Sequence, residues 1–310
     1  MTGFDRRLTP ARPDLAAAHL EGAVTATRFV EGVRRRVVAP IADVRAEPRQ
    51  DCPLDTQAIR GETVTVYEET PEGWAWGQLD RDGYVGWLPA DALGPHAPEP
   101  THRVVVLRTL VFPGPDLKLP VVCQITEGAW VAVVGTEERR GTVYARLFDG
   151  GYGILKHLAP AGTIMSPDMA ASVAPHGGGI PDDKRTREAY VAAAERYVGS
   201  PYVWGGRTSL GLDCSGLVQT ALAAVGISAP RDTDMQERAL GEPVPFDGDV
   251  SALERGDLVF WKGHVGIVAG PDRLLHANGF HMMTVVEPLS TAIARIAAAG
   301  LPVTSVRRLN

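Results

Sequence analysis

Short β-type runs broken by Pro and Gly, laid down twice in succession, constrain the first half of this chain more than any other feature. Residues 37–93 carry Val37-Val38, Val44, Val64, Val66 and Tyr67, Trp74 and Trp76, then Tyr84 to Leu88. Pro and Gly clusters separate these runs at intervals suited to a small barrel. Residues 103–158 repeat the plan with Val104 to Val106, Val121-Val122, Trp130 to Val134, Tyr144 to Phe148 and Tyr152 to Leu155. Gln57 to Gly61 corresponds to Gln124 to Gly128. Gly83-Tyr84-Val85-Gly86-Trp87-Leu88-Pro89 corresponds to Gly151-Tyr152-Gly153-Ile154-Leu155. A period of about 67 residues is too long for a solenoid repeat, so the duplication predicts two tandem small β-barrels, over 37–95 and 103–160.

The flanking segments read differently. Residues 1–36 are a basic, alanine-rich lead-in, and Ala16 to Val24 predict a short helix. Arg34-Arg35-Arg36 reads as a solvated turn, because charge runs are mostly exposed. Residues 161–184, with Ser166-Pro167, Pro175, Gly177-Gly178-Gly179 and Pro181, read as a linker. A helix is predicted over 186–198, capped by Thr186 and ended by Gly199. The region 185–310 then combines one buried helix with the β-type runs at Leu258, His264 and Leu274, an α+β pattern.

Chemistry concentrates in that last region. Gly205, Gly206 and Gly211 lead into Leu212-Asp213-Cys214-Ser215-Gly216, and Leu217, Val218, Ala221, Leu222 and Val225 follow at helical spacing. Cys214 is therefore expected in the first turn of a helix, where the dipole favours a thiolate. A cysteine nucleophile also needs a base and a group that orients the base. His264 and His276 open or occupy adjacent β-type runs, so His264 is the expected base and His276 its orienting partner. A His264 imidazolium is expected to lower the Cys214 thiol below its free value of about 8.5. These three residues are a poor zinc site, since no Cys-x-x-Cys or His-x-x-x-His pair accompanies them. No metal and no cofactor are expected. His281, after Gly279-Phe280, reads as a loop residue.

Composition narrows the partners. The 310 residues are 45% hydrophobic and 22% charged, with a formal net charge of −6, which gives no basic footprint for nucleic acid. The three cysteines, Cys52, Cys123 and Cys214, are too few for a disulfide framework. No signal-type apolar segment and no run of 18 apolar residues occurs, so a cytoplasmic protein without a membrane partner is expected.

The ordered motifs resemble a known family. Tyr202-Val203-Trp204-Gly205-Gly206, Asp213-Cys214-Ser215-Gly216-Leu217-Val218, Pro230-Arg231-Asp232, Gly256-Asp257-Leu258, His264-Val265-Gly266-Ile267 and His276-Ala277 stand in the order of the NlpC/P60 cysteine peptidases. The two β blocks resemble bacterial SH3-like domains through Gly-Tyr-x-Gly-Trp-Leu-Pro. The resemblance implies a papain-like catalytic domain behind two SH3-like barrels, as in the γ-D-glutamyl-L-diamino acid endopeptidases of dipeptidyl-peptidase VI type. It implies cleavage of the γ-D-glutamyl–diamino acid bond in murein peptides whose L-Ala amine is free, hence a role in murein recycling. Cys214, His264 and His276 then form the triad. Tyr202 and the Cys214 N–H serve the oxyanion. Asp213, Ser215, Asp232 and Thr233 contact substrate, with Asp213 and Asp232 offering the amine a counter-charge.

From the first SH3-like domain, Glu47 and Tyr84 are the candidate contacts and Glu62 the alternative acid. Each is more often plain surface than ligand. Gln50-Asp51-Cys52-Pro53-Leu54 departs from the family pattern, where an acid often stands near Pro53. Two other readings stay open: a secreted hydrolase of intact peptidoglycan with wall-binding SH3-like domains, and a non-catalytic binding protein. The diamino acid, diaminopimelate or lysine, stays open as well.

Overall fold

A computed structural model describes residues 4–163 and 183–309. The chain divides into two compact units, 1–161 and 162–310. Among the described residues no helix is long and apolar enough to cross a membrane.

In the first unit, one seven-stranded antiparallel sheet carries the first β block. Its strand order is Leu54–Ile59, Ile41–Arg45, Val85–Pro89, Trp74–Leu79, Thr63–Glu69, Val33–Val37 and Leu93–Pro95. Alternating inward residues, among them Val44, Val64, Val66, Leu79 and Leu88, make its core. The second block is split among three small sheets around Val104, Val111, Ile125, Val131 and Leu147. Trp130 donates its backbone N–H to the Arg60 carbonyl at 2.9 Å, and Arg60 pairs with Asp149, so the two blocks are bonded within one unit.

Two expectations for the lead-in are corrected. Leu15–Ala17 is a short strand paired in parallel with Arg28–Val30, followed by a single 3-10 turn, and not a helix. Burial overrides the alanine propensity here: Leu15 is fully enclosed against Trp76, Val85 and Trp87. Arg34 to Arg36 lie on a strand of the large sheet, not in a turn. Arg34 and Arg35 pair with Asp80 and Glu69, and Arg36 donates to the Gly61 carbonyl. The sheet thus begins at Val33, before the expected boundary at 37.

The expected linker falls largely outside the described residues. The second unit opens with helix α1, Asp183–Glu195, so Thr186 lies within the helix and does not cap it. Gly199 follows it at φ +88°, where a left-handed conformation favours glycine. Helix α2, Cys214–Ala224, is buried along almost its whole length. Helix α3 is Thr233–Ala239 and α4 is Leu289–Ala298.

A six-stranded antiparallel sheet completes the unit. Its strands are β1 (Glu242–Val244), β2 (Leu258–Trp261), β3 (His264–Gly270), β4 (Arg273–Asn278), β5 (Met283–Glu287) and β6 (Val303–Arg308), in the order β1-β6-β2-β3-β4-β5. The β2 to β4 strands are near-continuous apolar runs because helices cover them. On one face Val259, Trp261, Val268 and Leu274 pack with Leu289 and Ala292 of α4.

Candidate active site

The start of α2 is assembled by one carboxylate. Asp213 is its N-cap and accepts from the Gly216 N–H at 2.7 Å, so Cys214 is the first helical residue. The Asp213 carboxylate also accepts from the Gly205 N–H at 2.9 Å, which fastens the glycine turn to the helix. Arg231 donates to both Asp213 oxygens, at 3.0 and 2.7 Å, and to the Ser215 hydroxyl at 2.9 Å. Gly216 is required by close approach, since a Cβ there would strike the Gly206 carbonyl.

Asp213 and Ser215 were expected to meet substrate, and Asp213 to neutralise an amine. The structure gives both a partner within the protein: the Asp213 oxygens and the Ser215 hydroxyl accept from the Arg231 guanidinium, which is 1% exposed. The Asp213 charge is thereby matched inside the fold.

Cys214 is buried, and Thr233 at the start of α3 places its hydroxyl 3.7 Å from the sulfur. The backbone N–H groups of Ser215 and Val265 also point at Sγ. Val265 follows His264, so the start of β3 meets the start of α2. Burial, and then the Asp213 charge, push the thiol up to about 11, against these hydrogen bonds. Against the thiolate expected at the helix start, burial favours the neutral thiol. Tyr202 stands beside Cys214 and Asp213. Burial and those neighbours raise its phenol above the usual range, so its hydroxyl stays a donor.

Register brings the histidines together. Trp261 pairs with His264 across β2–β3, Ile267 with Leu275 across β3–β4, and His276 with Val285 across β4–β5. With side chains alternating at period two, His264, His276 and Glu287 share one face of the sheet. Gly266 stands between them, where a Cβ would meet Leu274 at 2.6 Å and the His276 Cβ at 3.3 Å. His264 Nε2 lies 2.8 Å from His276 Nδ1, and His276 Nε2 lies 2.8 Å from Glu287 Oε1. Arg295 of α4 donates to both Glu287 oxygens, at 2.7 and 2.6 Å.

Burial holds both histidines neutral. It lowers His264 to about 3, with the His276 and Arg295 charges adding to the effect. It lowers His276 to about 4 despite the bond to Glu287. Burial opposes ionisation of Glu287 too, but hydrogen bonds from Arg295 and His276 outweigh it and hold the carboxyl at about 2.

The remaining expected contacts have these local settings. Asp232 immediately precedes α3, next to Thr233. Glu47, in the first unit, is exposed and bonded to Arg49. Tyr84 is not surface but part of the first unit's core. Glu62 is also buried, accepting from the Ile59 N–H at 3.0 Å and pairing with Arg81. Sequence reasoning missed Arg231 as the partner of Asp213 and Glu287 as the partner of His276. The turn around Gly279 was the available signal for Glu287, since it folds β5 back along β4.

A cysteine at a helix start and a His264–His276–Glu287 hydrogen-bond chain on the neighbouring sheet are residue types that thiol hydrolases use. Residues 199–295 match the NlpC/P60 family, and residues 44–93 match the bacterial dipeptidyl-peptidase SH3 domain. Dipeptidyl-peptidase 6 of Lysinibacillus sphaericus is 26% identical over 250 residues, covering 78% of this chain and 86% of that protein. A γ-D-glutamyl-L-lysine dipeptidyl-peptidase of Bacillus subtilis is 36% identical over 122 residues, covering 36% of this chain and 40% of that protein. The crystal structure of an NlpC/P60 family protein from Bacillus cereus superposes with a TM-score of 0.68 at 19% identity, covering 89% of this chain and 99% of that one. The protein is a cysteine peptidase, a hydrolase. More particularly, it carries an NlpC/P60 domain behind a bacterial dipeptidyl-peptidase SH3 domain.

Proposed function

We propose that this protein cleaves the γ-D-glutamyl–diamino acid bond of murein-derived peptides that present a free N-terminal L-Ala. The observation that carries the reading is the meeting of the Cys214 helix start with the strand that begins at His264, backed by His276. The names of the relatives from B. subtilis and L. sphaericus support the substrate class.

In this reading Cys214 is the nucleophile, His264 the base and His276 the orienting residue. Since both thiol and imidazole rest neutral, His264 takes the proton as the sulfur attacks the γ-carbonyl. The oxyanion forms beside the Cys214 N–H and the Tyr202 hydroxyl. Collapse breaks the C–N bond, and His264 returns the proton to the departing amine. Water then hydrolyses the thioester. With Asp213 matched by Arg231, Asp232 is the acid that meets the substrate amine, and Thr233 lines the approach to the sulfur.

The test is hydrolysis of L-Ala-γ-D-Glu-meso-diaminopimelate followed by chromatography. Turnover by the native protein, abolished by Cys214→Ala and by N-acetylation of the peptide, is expected. Equal turnover of the acetylated peptide overturns recognition of the amine, and turnover by Cys214→Ala overturns the nucleophile.

A further inference from the structure

We infer that Glu287, clamped by Arg295, is a positioning residue that acts through His276 to decide which nitrogen of His264 is free to take the thiol proton. This inference deepens the proposed peptidase reading and rests on it for the role of His264.

The argument follows the protons outward from the carboxylate. Glu287 receives two hydrogen bonds from Arg295, so it is ionised and can only accept. Its contact with His276 Nε2 at 2.8 Å therefore requires a proton on that nitrogen. His276 is fully enclosed, and a buried imidazole stays neutral with a single ring proton. Its Nδ1 is then a bare lone pair. His264 Nε2, 2.8 Å away, must supply the hydrogen for that bond. A neutral His264 with its proton on Nε2 has an unprotonated Nδ1. One carboxylate thus sets two tautomers in series, and the outcome is a base on Nδ1.

The chain also works after proton transfer. When Sγ–H breaks and Nδ1–H forms, His264 becomes an imidazolium whose Nε2–H still points at the His276 lone pair. His276 still donates to Glu287, whose negative charge faces the cation through the ring. No proton needs to leave any of the three residues. Among the described residues, besides His276 and Arg295, the charged or titratable group facing Glu287 is His281, whose Nδ1 lies 3.9 Å from Oε1. The backbone N–H of His281 is tied to Asn278 Oδ1 at 2.8 Å, and its Nδ1 stands 3.1 Å from the same oxygen. His281 therefore leaves the direction of the relay unchanged.

Glu287→Gln, made on an Arg295→Met background because Oε1 also accepts from Arg295, separates tautomer control from simple packing. Without the arginine N–H at that corner, a glutamine of the same shape can turn its NH2 toward His276 Nε2, which then becomes the acceptor. His276 must carry its proton on Nδ1, His264 accepts at Nε2, and the remaining proton of His264 sits on Nδ1, which can then no longer take one from the thiol. Glu287→Ala imposes neither direction. The experiment is histidine nitrogen NMR on the full-length protein at pH 7.5, paired with steady-state kinetics on the peptide above. In the native protein both His264 and His276 are expected with the proton on Nε2. Both are expected to invert in Glu287→Gln on the Arg295→Met background, with kcat reduced at least about 100-fold and KM nearly unchanged, by analogy with wrong-tautomer substitutions in serine-protease triads. Glu287→Ala is expected to lose less than Glu287→Gln, and Glu287→Asp to restore both the tautomers and part of the rate.

Unchanged tautomers in Glu287→Gln on that background overturn the inference, and so does a glutamine variant no slower than the alanine variant. The NMR needs no substrate. Inversion without any peptide hydrolysis by the native protein sinks the peptidase reading and leaves the tautomer relay standing. Should the glutamine variant not fold, Arg295→Met serves instead: it keeps the carboxylate, so native tautomers are expected, and their inversion there overturns the clamp.

Discussion

Arg231 binds both carboxylate oxygens of Asp213 from a position almost wholly closed to solvent. The pair stands directly behind the nucleophile, since Asp213 caps the helix that Cys214 begins. Its geometry fixes where the helix starts, and with it where the sulfur sits.

Breaking one half of that pair should cost more than removing both. Arg231→Ala leaves the Asp213 charge buried and is expected to destabilise the protein by about 3–5 kcal/mol. The double variant Asp213→Asn, Arg231→Met keeps a capping side chain and no charge, so it should be less destabilised. Urea unfolding of the two variants decides the matter. A single variant no less stable than the double one would falsify the buried-pair account.

Gly216 should tolerate no side chain. Gly216→Ala drives a methyl group into the Gly206 carbonyl, with expected losses of about 1–3 kcal/mol in stability and most of the peptidase rate. Gly279→Ala, where the added carbon meets nothing within 4 Å, is the control and should leave the melting temperature unchanged. Equal melting temperatures for both variants would refute the close-approach argument.

Acid should weaken the fold well before the carboxylates titrate. The folded values of His264 and His276, about 3 and about 4, lie below the ordinary histidine value of 6.5. The unfolded chain therefore binds more protons as pH falls below 6.5, and stability declines with it. Each histidine contributes a slope of up to about 1.4 kcal/mol per pH unit. Unfolding measured between pH 6 and 5, above the range of Glu287, should show this decline. His264→Gln should remove close to half of the histidine share. An unaltered slope in that variant is the contrary result.

The thiol should behave as a buried one. With Cys214 pushed up to about 11, its iodoacetamide reaction should keep rising through pH 9 with no plateau near pH 6. Mass spectrometry of the alkylated peptides distinguishes Cys214 from Cys52 and Cys123, all three of which are free. A plateau near pH 6 would demonstrate a preformed thiolate–imidazolium pair.

The sequence by itself determined the β-rich first half and the α+β second half, and it singled out Cys214, His264 and His276. These were legible because their signals are local: β-type runs between turns, an apolar helical face after Cys214, and a histidine at the start of one strand and within the next. Tertiary structure alone decided the rest. Leu15–Ala17 became a strand because Trp76, Val85 and Trp87 enclose it, which no propensity of an alanine-rich segment encodes. Asp213 gained a buried partner only when Arg231, 18 residues away, was folded against it. Glu287 entered the site through the pairing of His276 with Val285 and through Arg295 on a separate helix. The protonation of Cys214 and His264 likewise depends on exclusion of water, a property of the packed whole. Short-range patterns specify elements; burial, register and charge pairing between distant elements decide what each side chain does.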